Sequence, residues 1–148
     1  MKKVFSPICG TESLQPVFDF LNEELSILLP FYKTLLILMS GQLGAGKTTF
    51  LREFLRPFSG DSINSPTYSY YNQYDTSFGK VMHVDFYRII NSDDLLIQEI
   101  LSTITDYSLV FIEWWEKVPS LKTYNNCILI QFTLLQDDRR EITIEKLN

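Results

Sequence analysis

Apolar residues along this chain fall into several patterns, and each pattern predicts a different element. From Thr11 to Leu29 they recur at helical spacing, with Val17, Phe18, Leu21, Leu25 and Leu28 on one face. Ser13 is placed to cap that helix, and Pro16 suits its first turn. Leu35-Leu36-Ile37-Leu38-Met39 and Leu109-Val110-Phe111-Ile112 run without a polar interruption, which predicts buried strands. A helix-like stretch, Thr49 to Leu55, follows the first run and ends near Pro57, after which Ser59 to Thr67 is polar and reads as a loop. Tyr68–Tyr74 and Lys80–Phe86 predict two strands, joined as a hairpin through Asp75-Thr76-Ser77-Phe78-Gly79. Ser92-Asp93-Asp94 offers a cap and an acidic first turn to a helix running to about Thr105. Cys127–Leu134 and Arg140–Leu147 predict a closing hairpin around Gln136-Asp137-Asp138-Arg139. The order is one βα unit with hairpins inserted and appended. It predicts an α/β domain over residues 1–148, a mixed sheet flanked by helices and extended by antiparallel hairpins.

Composition adds limits. With 148 residues, 45% hydrophobic and 21% charged, the chain can bury a core without staples. Cys9 and Cys127 lack metal-site spacing and read as reduced thiols. Met1-Lys2-Lys3 leads into no continuous apolar segment, and Pro30 with Lys33 interrupts Leu25–Met39, so neither a signal peptide nor a membrane span is expected. The expected location is the cytoplasm. A net charge of −5 and a pI near 4.8 disfavour strong direct binding of nucleic acid. Lys2-Lys3, Arg52, Arg56 and Arg139-Arg140 make no basic stripe.

The chemistry centres on Gly41-Gln42-Leu43-Gly44-Ala45-Gly46-Lys47-Thr48, which lies between the first apolar run and the helix-like stretch. This is a complete P-loop in the strand–loop–helix context it requires. Its glycines let backbone N–H groups converge on a β-phosphate, and the following helix points its positive end there. Lys47 reaches β- and γ-phosphates, and the Thr48 hydroxyl can ligate Mg²⁺. The fold class sharpens to a P-loop NTPase-type sheet. Such a loop needs a second acid to place metal and water. Glu113 ends the second buried strand, where a Walker B carboxylate is delivered. In the strand His83-Val84-Asp85-Phe86, His83 and Asp85 share one face while Val84 and Phe86 face the core. Asp85 is a candidate to orient the attacking water, and Arg88 to pair with it or meet phosphate charge. Ser65-Pro66-Thr67 falls where P-loop switches place a nucleotide-sensing hydroxyl. Of Trp114 and Trp115, one is expected to pack and the other to stay partly exposed. No N-K-x-D motif supports guanine selectivity, so ATP is the expected nucleotide.

Taken in order, Gly41 to Phe50, Ser65-Pro66-Thr67-Tyr68, His83 to Arg88 and Ile112-Glu113-Trp114 resemble the TsaE (YjeE) family, over roughly residues 10–145. The resemblance implies a Mg²⁺-dependent ATPase of tRNA threonylcarbamoyladenosine biosynthesis. Its members act with TsaD-like and TsaB-like partners, which hold most of the tRNA, to modify the adenosine beside the anticodon in tRNAs reading ANN codons. It implies nucleotide contacts from Gly41, Leu43, Gly44, Ala45, Gly46, Lys47, Thr48 and Thr49. Thr48 and Glu113 would hold Mg²⁺, with Asp85, Glu113 and Lys47 catalytic. Thr11 would lie by the adenine and Arg139 by the nucleotide. Two departures stand out: Trp115 replaces the family's proline, and Gln98-Glu99 occupies a region that usually carries a glycine. A small P-loop kinase and a nucleotide-dependent assembly switch are the alternative readings.

Overall fold

The computed structural model describes residues 4–5, 8–9, 14–60, 63, 70–91 and 95–147. Among them the chain forms β1 (Val4–Phe5), β2 (Ile8–Cys9), α1 (Gln15–Leu28), β3 (Leu35–Gly41), α2 (Lys47–Leu55), β4 (Tyr71–Thr76) and β5 (Gly79–Asp85). It continues through α3 (Leu95–Thr103), β6 (Leu109–Glu113), β7 (Cys127–Leu134) and β8 (Arg140–Leu147). Short 3₁₀ turns at Trp115–Lys117 and Pro119–Thr123 connect β6 to β7.

The strands make one sheet in the order β1-β8-β7-β3-β6-β5-β4, with β2 also pairing β8. Its centre is parallel: β3 pairs with β6 and β7, and β5 pairs with β6. The outer pairs β4–β5 and β7–β8 are antiparallel hairpins. A parallel centre must be covered on both faces, which is why β3 and β6 read as unbroken apolar runs. Ile37, Met39, Leu109 and Phe111 pack against α1 and α2 on one face. Leu36, Leu38, Val110 and Ile112 pack with α3, Trp115 and Leu121 on the other. Phe50 and Phe54 of α2 are buried and contact Phe18, Phe132 and Phe111. Each such buried ring contributes about 1.5–3 kcal/mol, so the helix behind the P-loop is firmly seated.

Several boundaries differ from the sequence reading. The helix expected from Thr11 is observed as Gln15–Leu28 with Pro16 in its first turn, and Val17, Leu21, Leu25 and Leu28 are buried as expected. Ser13 lies outside the described residues, as does the Ser92-Asp93-Asp94 cap. The first hairpin closes through Ser77 and Phe78 alone, because pairing continues to Thr76↔Gly79. Gly79 makes that tight turn with a φ of 97°. The short strands β1 and β2, which pair with β8, had no periodic signal because each spans only 2 residues. Val84 and Phe86 do face a core, but so does His83. The sheet has two buried faces, and alternation along β5 separates one core from the other rather than core from solvent.

Candidate functional site

The chain leaves β3 through α2 toward the β4–β5 edge, and leaves β6 on the opposite face toward β7. Diverging connections of this kind open a crevice at the carboxyl ends of the two strands. In register, Met39 lies opposite Glu113 and Glu113 opposite Asp85, so the P-loop and both carboxylates emerge side by side. A cavity of about 300 Å³ lies there, lined by the run Leu43 to Thr49 together with Asp85, Tyr87, Glu113 and Trp114.

The P-loop half is shaped by its backbone. Gly46 takes a φ of 96° as the residue before α2, and Phe50 N–H donates to its carbonyl at 2.8 Å. A side chain there would be strained, and its Cβ would run into the Arg140 guanidinium. Gly41 has a φ of 155°, and a Cβ on it would sit 2.8 Å from the Phe132 carbonyl oxygen. The opening turn of a helix directs N–H groups along its axis, which makes this a cradle for an anion.

Lys47 is folded back onto this loop. Its Nζ donates to the carbonyls of Gly41 at 2.5 Å and Gln42 at 3.3 Å, and lies 4.5 Å from the centre of the Trp114 ring. Burial pulls the Lys47 pKa below its ordinary value, and Glu113, Glu116 and Asp85 oppose that shift.

The acid half is built from side chains. The Thr48 hydroxyl donates to Glu113, with Oγ1 3.1 Å from Oε1 and 3.0 Å from Oε2. His83 Nε2 lies 2.6 Å from Glu113 Oε2, with both residues buried. Asp85 Oδ1 accepts from the Tyr87 N–H at 2.9 Å. Burial pushes the Asp85 pKa up, Glu113 adds to the shift, and the Tyr87 hydrogen bond opposes it. Trp114 follows Glu113 with a φ of 57° and packs 5.2 Å from Tyr87, while Trp115 is buried. Lys117 donates to the carbonyls of Tyr87 and Ile89, tying the segment after β6 to the one after β5.

The hydroxyl and carboxylate oxygens of Thr48 and Glu113 are hard donors already in contact beside an anion cradle. That set fits Mg²⁺, which takes one or two protein oxygens and completes its shell with phosphate and water.

The structure therefore gathers Gly41, Leu43, Gly44, Ala45, Gly46, Lys47, Thr48, Thr49, Asp85 and Glu113 around one crevice. Thr11 and Ser65-Pro66-Thr67 lie outside the described residues. Arg139 does not line the cavity; it sits exposed in the closing turn, where its carbonyl accepts from Leu135 N–H at 2.8 Å. Arg140 is the hairpin arginine at the P-loop, its Nη1 donating to the Ala45 carbonyl at 3.2 Å. Alternation could have found it, since Ile142 and Ile144 point into the α1–α2 core and position 140 shares their face. Tyr87 as a cavity wall and His83 as the partner of Glu113 were also missed. Both depend on the β5–β6 register, which one strand's sequence does not carry.

A P-loop strand flanked by an acid-bearing parallel strand, with connections leaving on opposite faces, defines a P-loop NTPase-type fold. The crystal structure of YdiB from Bacillus subtilis shares it, with a TM-score of 0.65 at 20% identity, covering 100% of this chain and 88% of that one. The family model for the threonylcarbamoyl adenosine biosynthesis protein TsaE matches residues 17–142. The tRNA threonylcarbamoyladenosine biosynthesis protein TsaE of Rickettsia typhi is 33% identical over 118 residues, 76% of this chain and 78% of that protein. Its counterpart in Aquifex aeolicus is 29% identical over 127 residues, 84% and 85% of the two chains. The chain belongs to the TsaE family.

Proposed function

We propose that this chain is a Mg²⁺-dependent ATPase, working as one domain in the cytoplasm with TsaD-like and TsaB-like proteins. It supports threonylcarbamoylation of the adenosine beside the anticodon in tRNAs that read ANN codons. The observation that carries the ATPase reading is the contact of Thr48 with Glu113 across adjacent elements, directly beside the P-loop cradle. The part played in tRNA modification rests on membership of the family.

In this reading, the α2 amino terminus and the glycines of the loop receive the phosphates. Lys47 leaves the carbonyl of Gly41 to meet β- and γ-phosphate charge. Thr48 and Glu113 would hold Mg²⁺, which when bound supplies charge neutralisation at the transferring phosphoryl group. Asp85 orients the attacking water and accepts its proton as the new P–O bond forms and the bond to the β-phosphate breaks. A carboxyl held above its ordinary pKa by burial suits that role. Arg140 adds positive charge at the loop. The −5 net charge agrees with tRNA being held mainly by the partners.

The test is co-purification with TsaD-like and TsaB-like proteins, followed by ATP turnover and threonylcarbamoylation assays on tRNA. ATP consumption that is lost in Glu113→Ala, with modified tRNA formed only by the complete set, supports the reading. Stoichiometric phosphorylation of an added acceptor would make the chain a kinase instead. Partner binding gated by nucleotide, with no turnover in any combination, would make it an assembly switch.

A further inference from the structure

His83 is fully buried in β5, two residues before Asp85 and opposite Phe111 in register. Its neighbour on the same face, Val81, belongs to the apolar core beneath α2. An imidazole in such a place costs stability unless its polar atoms are bonded. One is: Nε2 meets Glu113 Oε2 at 2.6 Å. The other, Nδ1, has no hydrogen-bond partner among the described residues. A core site that tolerates an unpaired ring nitrogen would be better filled by leucine if packing were all that mattered. A carboxylate accepts only, so Nε2 is the donor in this pair.

We propose that His83 is a positioning residue for Glu113, holding the carboxylate in the rotamer from which it serves a divalent cation. This rests on the reading of Glu113 as a metal-holding group. Thr48 reaches the carboxylate from α2 and His83 reaches it from β5, so it is gripped from two separate elements. The two grips differ in what they leave free. Thr48 must present a lone pair to the metal, so its orientation changes with occupancy. His83 has no other partner among the described residues and keeps its hydrogen bond in either state. It thus orients a ligand from behind, as partners of metal-bound groups do elsewhere, where their loss costs about 10–100-fold in metal affinity.

The test uses Mn²⁺ in place of Mg²⁺, titrated by electron paramagnetic resonance against the full chain saturated with ADP. ADP affinity in EDTA and the melting temperature are measured in parallel. His83→Leu removes the donor at similar volume. His83→Gln restores an amide donor near the Nε2 position, whereas His83→Asn places its amide near Nδ1, short of Glu113. Mn²⁺ affinity is expected to fall about tenfold in His83→Leu and His83→Asn and to return within about threefold of the parent in His83→Gln. ADP affinity in EDTA is expected to stay within about twofold throughout. If His83→Leu does not fold, the Gln and Asn variants carry the comparison alone. Equal Mn²⁺ affinity in the Gln and Asn variants, whatever their melting temperatures, would reduce His83 to a structural residue and overturn the proposal. Glu113→Ala is the control for the parent reading: unchanged Mn²⁺ affinity there removes Glu113 from the metal site and rejects that reading itself.

Discussion

The two halves of the crevice are built by opposite means. The P-loop half is a backbone device, shaped by Gly41 and Gly46 in conformations that side chains resist. The acid half is a side-chain device, with His83, Asp85 and Glu113 drawn from two parallel strands and Thr48 from α2. A backbone cradle costs little when empty, since its N–H groups can face water. Buried acids cost more, because charge is taken from water before any ligand repays it. The proposed division follows: the loop carries affinity, and the acids carry turnover at the expense of the empty protein's stability.

Asp85→Asn separates the halves most sharply. Turnover should fall about 10²–10⁴-fold, the usual worth of a positioned base. ATP affinity by calorimetry should stay within about threefold of the parent, since Asp85 makes no contact that shapes the loop. The empty variant should also melt higher at neutral pH. Burial raises the folded pKa of Asp85 above 3.8, so the fold binds this proton more tightly than the unfolded chain. The parent therefore loses stability as pH rises from 3.8 through the raised folded value, and above that window the loss is complete. The melting advantage of the variant should disappear below pH 3.8. An affinity loss as large as the turnover loss would break the division.

Lys47→Ala should act on the other side. A hydrogen bond to a charged group is worth about 1.5–3 kcal/mol, so nucleotide affinity should weaken about 10–100-fold. The rise in the dissociation constant measured by calorimetry checks this. Unchanged binding with lost turnover would move Lys47 into the acid half. Gly46→Ala should have a smaller effect. Left-handed backbone at alanine costs about 1–2 kcal/mol, or about 5–30-fold in affinity if the loop relaxes only when empty. Introduced on an Arg140→Ala background, where its Cβ no longer meets the guanidinium, Gly46→Ala should add only the backbone share to the loss caused by Arg140→Ala itself. No further loss on that background would show that the left-handed conformation contributes nothing.

The same contrast explains what was legible in the sequence. The loop could be read from Gly41 to Thr48 because its chemistry is local: the residues that shape the cradle are neighbours in the chain. Glu113 was legible because a charged residue closing an apolar run marks the end of a buried strand. The His83–Glu113 bond was not, because it depends on β5 pairing in parallel with β6, a relation between segments 30 residues apart. The tight Ser77–Phe78 turn was hidden for a related reason. Glycine signals a turn, but only the pairing of Thr76 with Gly79 says where it closes.

The hairpin arginines offer the finest test, since the sequence favoured one and the structure favours the other. Arg139 lies in the exposed turn, and its only described hydrogen bond is through its backbone carbonyl to Leu135. Arg140 opens β8 on the face of Ile142 and Ile144, which carries its guanidinium to the carbonyl of Ala45 beside Gly46. A nucleotide in the crevice would lie within that cation's field, whereas water screens the exposed one. Arg140→Ala should therefore weaken ATP binding about fivefold, equivalent to about 1 kcal/mol for one hydrogen bond. Arg139→Ala should change it by less than about twofold, as expected for an exposed side chain away from a site. Raising the salt concentration should shrink the Arg140 effect only slightly, because a partly buried charge is screened less than a surface one. A larger effect at Arg139 would mean that the turn folds over the crevice when nucleotide binds. The P-loop half would then owe part of its affinity to a side chain that the empty protein holds away from the site.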